Sequence, residues 1–149
     1  MPANSAAAGG GELQLQLAYP LVAENAAKFA ADLVAQATAQ GMPLDYTPAS
    51  VPALDAVIGS LRGEGVPVER VADVLFAFGC YLGETIVRAT GGRWVATTSL
   101  ALGRPALFPI AVELPGARAC DPVSQPFIAL ADGPAASLSG FLATLTAER

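Results

Sequence analysis

Glu84 stands at the end of an otherwise apolar run, Gly79-Cys80-Tyr81-Leu82-Gly83-Glu84, with Arg88 four residues on and Gly91-Gly92-Arg93-Trp94 beyond it. On a helix, residues four apart are neighbours, and glutamate before arginine is the favourable order for a pair. Arg93 falls just past the expected helix end, where it can fold back. Two chemistries are open to this set. One is a salt bridge that ties the helix to the next strand, with Trp94 in the core. The other is a polar site of Tyr81, Glu84, Arg88 and Arg93 beside the aromatic wall of Trp94. A carboxylate fixed by arginine partners suits ligand or partner binding better than acid catalysis. Either way, Glu84 is expected to be at least partly buried, within hydrogen-bonding reach of Arg88 or Arg93.

The remaining chemistry is narrowed by what the chain lacks. It has no histidine, so Ser-His-Asp and Cys-His sites cannot be built within it. Histidine-ligated zinc and the His-carboxylate iron site go with them. Cys80 and Cys120 are too few to complete a structural zinc site or a disulfide framework, and Cys80 reads as a small hydrophobe. No glycine-rich loop ends in Lys-Ser or Lys-Thr, so there is no phosphate-binding P-loop. Gly59-Ser60-Leu61-Arg62-Gly63 lacks the residue between glycine and serine that a nucleophile elbow requires, and it ends a helix instead of starting one. Lys28 is the sole lysine and reads as a solvated residue. The thirteen acids leave a carboxylate pair open without identifying one. The expectation is no catalytic residue, no cofactor and no metal.

The formal net charge is -5 over 149 residues, with no cluster of Lys and Arg. Phosphate neutralisation needs such clusters, so nucleic acid is not an expected partner. Docking on an anionic membrane surface is disfavoured for the same reason. Residues 1–11 read as a flexible Ala/Gly-rich tail without the basic and apolar regions of a signal peptide. Residues 12–149 read as one domain, cytoplasmic by default, and the longest strongly apolar run, Val74 to Leu82, is too short to span a bilayer.

The elements that must position Glu84 follow from periodicity. Glu12 to Leu17 alternates Leu with Gln, a strand signal. Val22, Ala26, Phe29, Leu33 and Ala37 give one apolar face to a helix over Pro20–Gln40. Thr47-Pro48 opens a second helix with Val51, Leu54, Val57, Ile58 and Leu61 as its stripe. Pro67 opens a third, with Val71, Val74, Leu75, Phe78, Leu82 and Ile86 buried and Gly91-Gly92 as its stop. Gly79 and Gly83 share one face of it, where the expected return for two helical glycines is close approach of another backbone. Trp94–Leu100 and Ala106–Leu114 read as a hairpin linked by Ala101–Pro105, and Pro109 predicts an edge strand or a bulge. Asp121-Pro122 suggests a short helix running to Ala131, weakened by Pro126, and a last helix spans Pro134–Ala147 after a break at Asp132-Gly133-Pro134. The fold class is α+β: N-terminal helices, a central antiparallel hairpin or small sheet, and C-terminal helices.

The string FGCYLGETIVRATGGRWV resembles a motif of small uncharacterised bacterial proteins, a domain of unknown function with a Gly-x-Tyr-Leu-Gly-Glu helix followed by Gly-Gly-x-Trp. LDYTPASVPALDAVI resembles their entry helix, and DPVSQPFIALADGP resembles their segment before the last helix. Cys80 and the stretch Gln125–Phe127, where that group is more basic, depart from the pattern. Some members sit in toxin–immunity settings, so the resemblance implies a protein partner. The first expectation is therefore a non-catalytic binding protein of immunity type. The others are an enzyme using carboxylates and arginines around Glu84, and a self-assembling protein pairing through the edge near Pro109. The oligomeric state stays open.

Overall fold

A computed structural model describes residues 15–100, 102 and 105–147. Helix α1 spans Ala26–Ala39, α2 Val51–Gly63 and α3 Val68–Thr90. Three strands follow, β1 (Arg93–Ala96), β2 (Ile110–Leu114) and β3 (Arg118–Cys120), then α4 (Gln125–Asp132) and α5 (Leu138–Ala147). The fold is thus α+β, and the described residues form three α-helices, a three-stranded antiparallel sheet and two α-helices. The expected tail over residues 1–11 lies outside the described residues.

Helix α3 is the element on which the others pack. It lies against α1, α4, α5, β1 and β2. The sequence explains this, because apolar residues surround most of its circumference from Leu75 to Ile86, and a helix apolar on several sides must be covered on several sides. Leu75, Leu82 and Ile86 are fully buried, and each such side chain contributes about 1.5–3 kcal/mol. An aromatic row crosses the core from Tyr19 through Phe29, Phe76 and Phe108 to Phe127, with ring centroids 5.0–5.4 Å apart. Pro67 precedes the first turn as expected, while Val71 departs from helical dihedrals and kinks the start of the helix.

Several expectations need correction. Leu15–Leu17 is not strand; Gln16 N–H donates instead to Asp73, and residues 12–14 lie outside the described part. Val22 and Val74, read as core, are exposed. The strand expected over Trp94–Leu100 ends at Ala96, where the chain turns into a 3-10 turn over Thr97–Ser99. Pro109 does not mark an edge. It sits just before β2, which is the central strand, and its carbonyl accepts the Thr97 N–H at 2.9 Å. A proline immediately before a strand costs the ladder no donor. The strand that makes β2 central, β3, carries no alternating apolar signal of its own. Pro126 lies in the first turn of α4 and starts that helix instead of weakening it, since proline is tolerated where the N–H has no helical acceptor. Phe108, Ile110, Val112 and Leu114 are all buried, as their alternation implies.

Candidate functional site

Register fixes the candidate cluster. Gly91, at φ 79°, ends α3 in the left-handed conformation. Gly92 then lets the chain pass close to β2: a Cβ there would come within 2.6 Å of the Glu113 carbonyl oxygen. The turn brings Trp94 back along α3, where its indole lies over Gly83. A methyl group at Gly83 would stand 2.2 Å from the ring. From that position Trp94 Nε1 donates to Glu84 Oε1 at 3.1 Å, and Arg88 Nε donates to Glu84 Oε2 at 3.3 Å. Both carboxylate oxygens of Glu84 are therefore engaged within the fold.

The expected link between helix and strand exists, but tryptophan makes it, not arginine. Arg93 does not fold back toward Glu84. It lies opposite Glu113 in the β1–β2 register and pairs with it at 2.8 Å. A strand directs successive side chains to opposite faces, so Arg93 and Trp94 cannot both reach α3. With side chains 74% and 35% exposed, that pair is a solvated one, of a kind contributing about 0–1 kcal/mol.

Tyr81 is fully buried, and its hydroxyl is part of a directed chain of hydrogen bonds. Tyr46 N–H donates to Tyr81 Oη at 2.7 Å, and Ser50 Oγ donates to the Thr47 carbonyl at 2.7 Å. The Ser50 proton being used there, the short contact between the two hydroxyls has Tyr81 as donor and Ser50 as acceptor. The hydroxyl of Tyr81 thus holds the loop before α2 in place and is not presented to solvent.

That loop supplies a residue the sequence reading missed. Tyr46 adopts φ 64°, a left-handed conformation rare for a bulky residue. Its ring stacks on Tyr81, with centroids 5.1 Å apart and planes inclined by 22°. The Arg88 guanidinium carbon lies over the Tyr46 ring, 3.7 Å from its centroid, a cation–π contact. Burial pushes the Tyr46 phenol above its ordinary value, with Arg88 pulling it down and Glu84 pushing it up. Asp45 helps set the loop: it accepts from Thr47 Oγ1 at 2.6 Å and from Thr47 N at 3.2 Å, and the side-chain bond from Thr47 holds its carboxyl below the ordinary value. A signal for Tyr46 was available. It precedes the Thr47 cap, a position where apolar side chains commonly anchor the chain entering a helix.

The cluster joins buried Tyr81, half-buried Tyr46 and Arg88, whose side chain is 54% exposed. Glu84 holds the Nε edge of the guanidinium and Tyr46 covers one face. Its two terminal nitrogens have no hydrogen-bond partner among the described residues. Nowhere among the described residues do three or more His, Cys, Asp or Glu side chains meet in a way that could hold a metal. No helix among them is long and apolar enough to cross a membrane. Comparison with protein-family models, curated proteins and solved structures finds no match to the chain.

Proposed function

We propose that this protein works by binding another protein and that Arg88, seated on Tyr46, anchors the contact. One observation carries the reading: an exposed guanidinium is fixed on two sides and keeps its terminal nitrogens open. Arginine is a frequent anchor at interfaces, together with tyrosine and tryptophan. Fixing it beforehand lowers the side-chain ordering lost on association. The planar fork that remains matches a carboxylate in two-point contact. Tyr46 supports the reading from the backbone side, because strained non-glycine residues concentrate at functional sites. The resemblance to proteins in toxin–immunity settings agrees with an immunity-type role. Glu84 acts here as a positioning residue. Its two oxygens are occupied by Arg88 and Trp94, which weakens the alternative of an enzyme centred on it.

The experiment is affinity capture from extract of the native cells with parent, Arg88→Ala and Arg88→Glu proteins as baits. A specific partner should be retained by the parent and weakened about 30-fold by Arg88→Ala, the effect of roughly 2 kcal/mol at an anchor residue. Arg88→Glu should abolish capture. Equal capture by all three baits sinks the anchor. Turnover of a substrate that disappears in folded Glu84→Ala would instead favour the enzyme.

A further inference from the structure

A cavity of about 230 Å³ opens between α2, α4 and the turn before α5, and it shares no residue with the Arg88 cluster. Ile58, Ala129 and Pro134 form its apolar wall, and Asp55, Arg62 and Ser137 supply its polar groups. The two charged residues differ in state. Asp55 is occupied, accepting from Leu138 N at 2.7 Å, Ser139 N at 3.0 Å and Ser139 Oγ at 2.6 Å, and so caps α5. Arg62 has no hydrogen bond or ion pair among the described residues. Its guanidinium lies over Gly133, where a Cβ would meet Cζ at 3.0 Å. Gly133 holds φ 92° and ψ -162°, dihedrals open to glycine and essentially nothing else. Helix α2 contributes Gly59 and Gly63 to the lining, and a Cβ at either would meet nothing within 4 Å. Packing among the described residues therefore does not account for Gly59, which lies inside this helix, where glycine is an unfavourable choice.

We infer that this cavity binds a small organic carboxylate, an acid with an aromatic or branched alkyl body, whose carboxylate pairs with Arg62 and whose body lies against Ile58, Ala129 and Pro134. Size fits, since an apolar cavity of about 150 Å³ accepts benzene, and the remaining volume admits a carboxylate. Arg62 presents the fork that pairs two-point with a carboxylate, and Asp55, whose oxygens are held at the start of α5 by three hydrogen bonds, does not compete for it. Favourable interaction of Arg62 with the C-terminal end of α2 involves the charge alone and leaves its donors available.

The test is a titration of the full chain with phenylacetate, followed through the amide resonances of Gly59, Gly63 and Gly133, with benzyl alcohol as the neutral counterpart. Phenylacetate should shift these resonances saturably, and benzyl alcohol should bind at least tenfold more weakly. Arg62→Ala, a change at an exposed side chain, should weaken phenylacetate at least tenfold, and Gly59→Leu should abolish binding by filling the cavity. Absence of saturable shifts overturns the assignment. So does equal binding of the alcohol, or binding unchanged in either variant. Arg88→Ala should bind phenylacetate like the parent, so failure here leaves the Arg88 reading intact and failure there leaves this one intact.

Discussion

Helices α2 and α3 each carry two glycines four residues apart, Gly59 and Gly63 in one, Gly79 and Gly83 in the other. The same spacing serves opposite ends. On α3 both Cβ positions are taken: by the Val123 backbone at 2.6 Å from Gly79, and by the Trp94 indole at 2.2 Å and Pro122 at 3.0 Å from Gly83. On α2 both are empty of described residues. Glycine spacing therefore marks a helix face that something can approach, and only the tertiary structure says whether that something belongs to the chain. On α3 the glycines complete the core and set Trp94 against Glu84. On α2 they leave room.

The largest effect that can break this comparison is at Gly79. A methyl group there overlaps backbone, which has no rotamer to change, so Gly79→Ala should destabilise by about 3 kcal/mol, the upper end for overpacking. Gly83→Ala should cost about 1–3 kcal/mol by displacing the indole, and should change Trp94 fluorescence as the contact with Glu84 loosens. Urea unfolding of both variants is the measurement, and stability equal to the parent in either would mean that the face is not closed.

The packed side can also be tested by pH. Cys80, beside Gly79, and Cys120, on β3, are both buried. Burial pushes both thiols above their ordinary 9.0, Cys120 to about 12, where the nearby Asp121 adds to the rise and Arg118 opposes it. Because the folded values lie above the unfolded one, the unfolded chain releases protons first as pH rises. The stability these thiols contribute is complete below pH 9 and declines from about 9 towards 12. Each thiol accounts for roughly 1.4 kcal/mol per pH unit in that window. Urea midpoints at pH 8, 9 and 10 should fall more steeply for the parent than for Cys80→Ala with Cys120→Ala. Parallel slopes would show the thiols to be in contact with water.

A smaller effect concerns what Trp94 gains by lying on Gly83. Had Glu84 formed a buried ion pair, breaking it would cost about 3–5 kcal/mol. Arg88 is more than half exposed, so its i,i+4 pair is worth only about 0.3–0.5 kcal/mol, and the bond from Trp94 is the larger part. A double-mutant cycle of Glu84→Met, which removes the acceptor at similar volume, and Trp94→Phe should give a coupling of about 1 kcal/mol. Coupling near zero would make the indole–carboxylate bond incidental to stability.

How much of this was legible in the sequence depended on range. The three long helices, their glycine stops and the buried face of β2 follow from local periodicity, and so they could be read, but two proline starts did not hold: α1 begins at Ala26 and not at Pro20, and Pro48 opens a 3-10 turn ahead of α2 at Val51. Glu84 and Arg88 were readable as a pair because four residues on a helix is a geometric statement. Arg93 was misplaced because strand register, not proximity along the chain, decides its partner, and that register pairs it with Glu113. Tyr46 was missed because its role depends on a hydrogen bond and a stack to Tyr81, 35 residues away. The central position of β2 was missed because β3 is three residues long and has no pattern of its own.

The smallest effect tests the open side, and its sign matters more than its size. Gly59 lies inside α2 with helical dihedrals, so alanine can take its backbone without strain, and a methyl group there meets nothing within 4 Å. Alanine is favoured over glycine in a helix by up to about 1 kcal/mol, in part because it restricts the unfolded chain. Gly59→Ala should therefore stabilise by about 0.4–1 kcal/mol, opposite in sign to both changes on α3. A midpoint shifted to higher urea, with an unchanged denaturant slope, is the expected result. Destabilisation would mean that the face is closed in solution, and the two glycine pairs would then be doing the same thing. Stabilisation joined to weaker phenylacetate binding would show why glycine is placed there: the residue best for the helix is not the one that leaves the cavity open.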